Sequence, residues 1–286
     1  MGTGVNRVRS QSERLLDDAI AALEQAGVGS PVADAEWLLS HVLGVPRAML
    51  RRTSIDGTQK TAYLELIDAR SRRFPLQHLT GSAAFRYVDV EVGPGVFVPR
   101  PETELLAGWA IEHALGLEQA VVVELCAGSG AISLSVVHEA PRSRVHAVEL
   151  DPPAFEWAQR NLAGTGVDVR QGDMGTAFAD LDGTVDIVVA NPPYIPLDAW
   201  ESVVPEARDH DPALALWSGD DGLDAIRVVE QVAWRLLKPG GVVGTEHADA
   251  QGESAPAVFS GRWADVRDHR DLADRPRFTT ATRPAH

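Results

Sequence analysis

Cysteine is almost missing from this chain of 286 residues: Cys126 is the only one. No intrachain disulfide can form, and a cytoplasmic location is expected. The nine histidines show no ligand spacing with that cysteine, so no metal site is expected. No apolar run approaches the roughly 20 residues that cross a bilayer. The first ten residues also lack the apolar core of a secretory signal, so no membrane partner is expected. Positive charge is in short supply, with 26 Lys and Arg against 41 Asp and Glu. Ten basic and nine acidic residues in 1–80 leave +1, whereas 16 basic and 32 acidic residues in 81–286 leave −16. So acidic a region repels a phosphate backbone, and no direct nucleic-acid partner is expected. The chain is expected to be a monomer.

What is present is the composition of a globular protein, 44% hydrophobic and 23% charged. The length allows one large α/β domain and a smaller one. Val8, Leu15, Leu16, Ala19, Ile20 and Leu23 recur at helical spacing until Gly27 and Gly29. Ser30-Pro31 predicts an N-cap and first-turn proline for a second helix, through Trp37, Leu38 and Leu39 to Gly44. A third is predicted over 58–73, with Tyr63, Leu66 and Ile67 on its apolar side and Pro75 as its stop. Short connections make these a small helical bundle over 1–80. Between 81 and 98 the pattern alternates from Phe85 to Val92 and resumes at Val96. The intervening Gly93-Pro94-Gly95 predicts the turn of a β-hairpin linker.

From residue 99 a helix (101–115) leads into strands at 121–125, 145–150, 167–170, 185–190 and 241–245. Helices are predicted between them at 130–139, 153–162 and 223–237. This rhythm implies a Rossmann-like, parallel, doubly wound α/β sheet over 99–286, with ligands beyond the carboxyl ends of its strands. No internal repeat or low-complexity stretch is seen.

Three motifs fall at those ends. Glu124-Leu125-Cys126-Ala127-Gly128-Ser129-Gly130 joins strand to helix with small residues that let a ligand approach the backbone. It lacks the third glycine of a dinucleotide loop, and an acidic residue opens it. That order suits a cofactor without phosphate whose amino-acid end is cationic; the bland alternative is a tight turn. Glu149 closes the next strand, where a carboxylate can accept both hydroxyls of a ribose. Asp173-Met174 could bracket an adenine, although loop aspartates are common.

The third motif is Asn191-Pro192-Pro193-Tyr194. Its prolines fix the backbone and cannot donate hydrogen bonds. The Asn191 side-chain carbonyl and the Pro192 carbonyl can then both accept from one NH₂ group, with Tyr194 as a flat face against it. Two acceptors favour a pyramidal nitrogen whose lone pair faces a sulfonium methyl, and they strengthen as charge develops there. Methyl transfer to a planar nitrogen is the chemistry this pattern fits; a simple turn is the alternative.

With these residues in view, the whole chain resembles the protein-(glutamine-N5) methyltransferases of the PrmC/HemK type. The resemblance covers the helical first domain, Pro75-Leu76-Gln77-His78-Leu79-Thr80-Gly81, Phe85, Pro99-Arg100-Pro101-Glu102-Thr103-Glu104, the glycine loop and the Asn191 tetrapeptide. It implies S-adenosylmethionine as cofactor and, as acceptor, the glutamine of a Gly-Gly-Gln motif in peptide-chain release factors. It also implies a first domain that recognises the substrate. By resemblance, Glu124, Cys126, Ala127, Gly128, Ser129, Gly130, Glu149, Asp173, Met174 and Asn191 line the cofactor site. Asn191, Pro192, Pro193 and Tyr194 hold the amide, with Phe85 and Arg100 nearby, and Asn191, Pro192 and Tyr194 carry catalysis. Cys126 stands where Gly is frequent in the family, Glu149 where Asp is, and Met174 where an aromatic is. The tetrapeptide is shared with adenine-N6 methyltransferases of DNA, which leaves an adenine in DNA or RNA as the alternative acceptor.

The arginine clusters Arg47, Arg51, Arg52 and Arg70, Arg72, Arg73 read as solvated helix faces before a docking site. Glu246-His247 reads as structural or pocket-lining, and Cys126 as a small loop residue. Residues 205–222 read as a loop over the acceptor site.

Overall fold

The computed structural model describes residues 11–285, so Val8 of the first apolar pattern lies outside the described residues. The chain divides into two compact units, split between Gly81 and Ser82.

The first unit holds α1 (Gln11–Gln25), α2 (Pro31–Leu43), α3 (Gly57–Ser71) and α4 (Leu76–Thr80), with a 3₁₀ stretch at Arg47–Arg52. Pro31 opens α2 and Gly44 closes it in the left-handed region, at φ 64°, while Ser30 makes no side-chain cap bond. A capping box sets the start of α3: Gln59 N–H donates to Asp56, and the Asp56 N–H donates to Gln59. Leu16, Leu23, Leu38, Leu39, Tyr63 and Ile67 form the core of this unit. The arginine clusters are largely engaged inside it. Arg70 is buried at 2.7 Å from Asp34, Arg47 bonds Glu36, Arg72 pairs with Asp68, and Arg73 donates to the Gly27 carbonyl.

The second unit opens with a hairpin, β1 (Ser82–Phe85) and β2 (Val88–Glu91), in which Phe85 faces Val88. The turn is therefore Arg86-Tyr87, with Arg86 at φ 51°, and not Gly93-Pro94-Gly95. Those glycines serve close packing instead. A Cβ on Gly93 would lie 2.6 Å from the Trp157 ring, and one on Gly95 2.9 Å from Pro153.

Then follow α5 (Thr103–Leu115), β3 (Val121–Leu125), α6 (Ala131–Glu139), β4 (Arg144–Glu149), α7 (Pro152–Asn161), β5 (Asp168–Gln171) and β6 (Val185–Ala190). The chain continues through α8 (Pro205–His210), α9 (Asp224–Leu236), β7 (Leu237–Glu246), α10 (Ser254–Val258), β8 (Ala264–Arg270) and β9 (Pro276–Thr282). The seven-stranded sheet runs β5-β4-β3-β6-β7-β9-β8. Its first five strands are parallel, as the sequence implies, but β9 pairs antiparallel to both β7 and β8. The sheet is thus mixed; no helix intervenes between β8 and β9 to carry the chain back for a parallel pairing.

All six residues of β6 are buried, because helices cover both faces. Val122, Ile187 and Val189 pack with α5 and α6 on one side. Val123, Val188 and Val243 pack with α9 and α10 on the other. Since β3 lies between β4 and β6, the winding reverses there, and a crevice opens beyond the carboxyl ends of those strands.

Candidate active site

A cavity of ≈ 330 Å³ occupies that crevice, within the range typical of small-molecule sites. Glu124, Cys126, Ala127, Gly128 and Ser129 line it from the β3–α6 loop, Glu149 from β4, and Asp173 and Met174 from beyond β5. Asn191, Pro193 and Tyr194 enter from β6, Phe85 from β1, and Arg100 and Thr103 from the approach to α5. Two residues named from sequence do not reach the wall. Pro192 is buried beside it, and Gly130, at φ 79°, lets α6 start against Leu162, 2.8 Å from where a Cβ would sit.

The loop's backbone explains its composition. Cys126 and Gly128 both sit at positive φ, 58° and 54°. A non-glycine residue there costs roughly 1–2 kcal/mol, which gives a physical reason for a glycine preference at position 126. A Cβ on Gly128 would meet no other atom within 4 Å, so the position adjoins open space a ligand can use. The Cys126 thiol, raised by burial and by Glu149, stays protonated and is no nucleophile.

The acids of the wall differ in their partners. Glu124 is 2% exposed; its Oε2 accepts from the Ser133 N–H at 2.9 Å and from the Ser133 hydroxyl. Burial pushes its carboxyl up to about 8 despite those bonds. Glu149 accepts the Gly128 N–H at 2.7 Å and the Asp151 N–H at 2.8 Å, which fixes both its oxygens, and burial raises it too. Asp173 is exposed and accepts from the Gly175 N–H. A small-residue floor with one deeply buried and one braced carboxylate fits a ligand with a cationic end and a diol.

At the other end of the cavity the wall has a backing. Asn191 Nδ2 donates to Thr103 Oγ1 at 3.1 Å, Thr103 donates to Glu246 Oε2 at 2.7 Å, and the Tyr194 hydroxyl donates to Glu246 Oε1 at 3.2 Å. Glu246 is 1% exposed, and burial raises its carboxyl to about 7. The raised Tyr194 keeps its proton, for reasons of burial first and the Glu246 charge second. Arg100 donates to Asp211 at 2.7 Å and lies over the Phe97 ring, tying the start of α5 to the end of α8. Residues 205–222 are less of a free loop than expected, since they contain α8 and pair through Trp217 with Ile195. Ala207, Leu214 and Leu216 line the cavity from this segment, and Val204 from the residue just before it.

The sequence reading gives Thr103 no role of its own and takes Glu246, with His247, only as structural or pocket-lining. Thr103 lay inside the quoted stretch 99–104, and a carboxylate closing the strand beside the tetrapeptide was the available signal for Glu246. Its neighbour His247 is fully buried, with Nδ1 at the Ala248 carbonyl and Nε2 3.1 Å from Asp268.

A family model described as the PrmC N-terminal domain matches residues 14–81, and one described as the methyltransferase small domain matches 101–209. A release factor glutamine methyltransferase from Streptomyces coelicolor is 57% identical over 92% of this chain and 95% of its own. A 4-amino-L-phenylalanine/4-methylamino-L-phenylalanine methyltransferase from Streptomyces pristinaespiralis is 41% identical over 87% and 88%. The fold is similar to that of the Thermus thermophilus 16S rRNA N2 G1207 methyltransferase, solved with AdoMet and guanosine. That match has a TM-score of 0.52 at 20% identity and covers 71% of this chain and 49% of that one. The chain is a methyltransferase, and it belongs to the release factor glutamine methyltransferase family.

Proposed function

We propose that this enzyme methylates the side-chain amide nitrogen, N5, of the glutamine in the Gly-Gly-Gln motif of peptide-chain release factors. One observation carries the reading furthest: the Asn191 NH₂ is engaged by Thr103, which leaves its carbonyl oxygen for an acceptor's N–H. The proposal extends to a cytoplasmic monomer that does not bind nucleic acid, and to a first unit that recognises the protein substrate. Among the described residues no helix is long and apolar enough to cross a membrane.

S-adenosylmethionine supplies an activated methyl on a sulfonium. In this reading Glu124 takes its α-ammonium, Glu149 its ribose hydroxyls, and Met174 with Asp173 its adenine edge. Asn191 Oδ1 and the Pro192 carbonyl accept the two amide N–H bonds, and Tyr194 and Phe85 hold the amide plane. The N–C bond forms as the S–C bond breaks, and the nitrogen then gives one proton to solvent. Both acceptors gain strength as nitrogen becomes positive, and so they favour the transition state.

Labelled methyl should pass to a purified release factor and not to its Gln→Ala version; equal labelling of both would sink the reading. A second reading has one support, the aminophenylalanine methyltransferase among the relatives. An aryl amine offers the same NH₂ to the same acceptors, and label moving to free 4-aminophenylalanine alone would favour it. Adenine in DNA or RNA shares that chemistry, but the −16 charge of residues 81–286 weighs against it.

Glu124 predicts a pH dependence of cofactor binding. Its carboxyl, raised to about 8, is largely neutral in the free protein at about pH 6.5. A bound ammonium favours the ionised form, so binding releases a proton, and affinity rises with pH towards 8. Above that the ligand's own α-amino group, with a pKa of about 8, discharges and affinity falls. Calorimetry at about pH 6.5 in two buffers of different ionisation enthalpy should detect about one released proton. Glu124→Gln should abolish the release and weaken binding by about 10–100-fold. Wild-type binding without proton release would remove Glu124 from this role.

A further inference from the structure

The acceptor-reading atom of Asn191 is set by groups behind the cavity wall. We propose that ionised Glu246, acting through Thr103, is the positioning residue that turns the Asn191 carbonyl oxygen towards the acceptor nitrogen. This positioning role rests on the nitrogen-methylation reading and deepens it.

A side-chain amide can sit either way round with the same shape, and only its partners choose. Here the choice is passed along a chain of donors. Glu246 accepts from Thr103 on one oxygen and from Tyr194 on the other. A carboxylate can do this, having no proton of its own. Thr103 has a single proton, already committed to Glu246, so towards Asn191 it can only accept. Asn191 must then present Nδ2 to Thr103, the 3.1 Å contact observed, and Oδ1 is left for the cavity.

Protonation of Glu246 reverses the chain. Its new proton faces a hydroxyl on either side, and when it lies on the Thr103 side that hydroxyl must accept it. The Thr103 proton then turns to Asn191, which meets it best with Oδ1. The amide is inverted, NH₂ faces the cavity, and two NH₂ groups oppose each other. The site loses the acceptor that distinguishes an amide or amine nitrogen from an oxygen.

The groups around Glu246 bear on its charge from each side. Arg277 on β9 favours the ionised form, and Glu102 at the entry to α5 opposes it; Thr103 and Tyr194 donate to it. His247, the first residue after β7, turns its ring nitrogens to Ala248 and Asp268. With burial the largest influence, the carboxyl titrates at about 7, so the inversion falls within an accessible range of pH.

The test uses the full chain and needs no acceptor. The sequence has three asparagines, Asn6, Asn161 and Asn191. Selective ¹⁵N-asparagine labelling therefore gives three side-chain amide signals, with that of Asn191 identified from its loss in Asn191→Asp. In wild type this signal should titrate with a midpoint near 7. In Thr103→Val and in Glu246→Gln that titration should disappear, and Thr103→Ser should restore it. In parallel, Thr103→Val should lower kcat by about 10–100-fold and flatten the acid limb of the pH–rate profile, with cofactor Kd within about twofold. A merely structural role for Thr103 would not remove a titration seen at Asn191. The proposal is overturned if the Asn191 signal does not titrate in wild type, or if it titrates alike in wild type and Thr103→Val. It is equally overturned if Thr103→Val keeps wild-type kcat. If wild type shows the titration yet methylates no release factor, the substrate reading fails and the positioning role stands.

Discussion

Replacing Asn191 with Ala should lower turnover by about 10²–10³-fold, comparable to removing one donor from an oxyanion hole. Cofactor affinity should change by no more than about threefold. The asymmetry follows from where the side chain sits. Asn191 lines the same cavity as the glycine loop, but Glu124 and Glu149 on other strands, and Gly128 in the β3–α6 loop, keep their own partners. Thr103 still donates to Glu246 when Asn191 is truncated, so the backing of the wall survives. What is lost is one acceptor whose value grows as nitrogen becomes positive, a loss that appears in kcat and hardly in ground-state binding. Single-turnover methylation with cofactor saturating, alongside calorimetric titration of the cofactor, separates the two. Equal losses in both would make Asn191 a cofactor ligand first, and unchanged turnover would remove it from the chemistry.

The parts of this protein legible in its sequence are those governed by local pattern. The β3–α6–β4 and β6 segments announce themselves because buried parallel strands read as continuous apolar runs ending in glycine, acid or proline. Asn191, Glu149 and the Cys126 loop therefore fall at strand ends without any knowledge of the packing. The hairpin turn was misplaced because Gly93-Pro94-Gly95 has the composition of a turn, while the cause of those glycines is Trp157 and Pro153, some sixty residues away in the chain. Arg86 carries the turn at positive φ, which nothing in its neighbours advertises. The strands β8 and β9 were missed for a related reason. Ala264–Arg270 is half charged, as suits the edge of a sheet, and carries no clean alternation. Thr103 and Glu246 stand 143 residues apart and become partners only when α5 and β7 lie against β6. Long-range pairing of that kind has no local signature.

The same distance-blindness hides the glycine on which Tyr194 depends. Gly222 lies at φ 74°, and a Cβ there would stand 2.3 Å from the Tyr194 carbonyl oxygen and 2.6 Å from Gln251 Nε2. Gln251 donates to that carbonyl at 3.0 Å and to the Asp221 carbonyl at 3.2 Å, fixing the backbone that carries the aromatic ring. Gly222→Ala must therefore displace backbone and not merely a flexible side chain. Left-handed strain and the collision together should cost about 2–4 kcal/mol of stability. A shift of about 1 Å in Tyr194 should lower kcat by about 100-fold. Gly183 supplies the control. It has nearly the same φ, 69°, but a Cβ there meets nothing within 4 Å, and it precedes β6 at the end of the strand away from the cavity. Gly183→Ala should lose about 1–2 kcal/mol and keep its turnover. Thermal unfolding gives the first quantity for each variant, and kcat at a temperature where both are folded gives the second. If both alanines lower kcat alike, strain alone is responsible and Tyr194 is not held from Gly222. A large loss confined to Gly222→Ala makes the Tyr194 backbone, and not the stability of the sheet, the quantity that turnover follows.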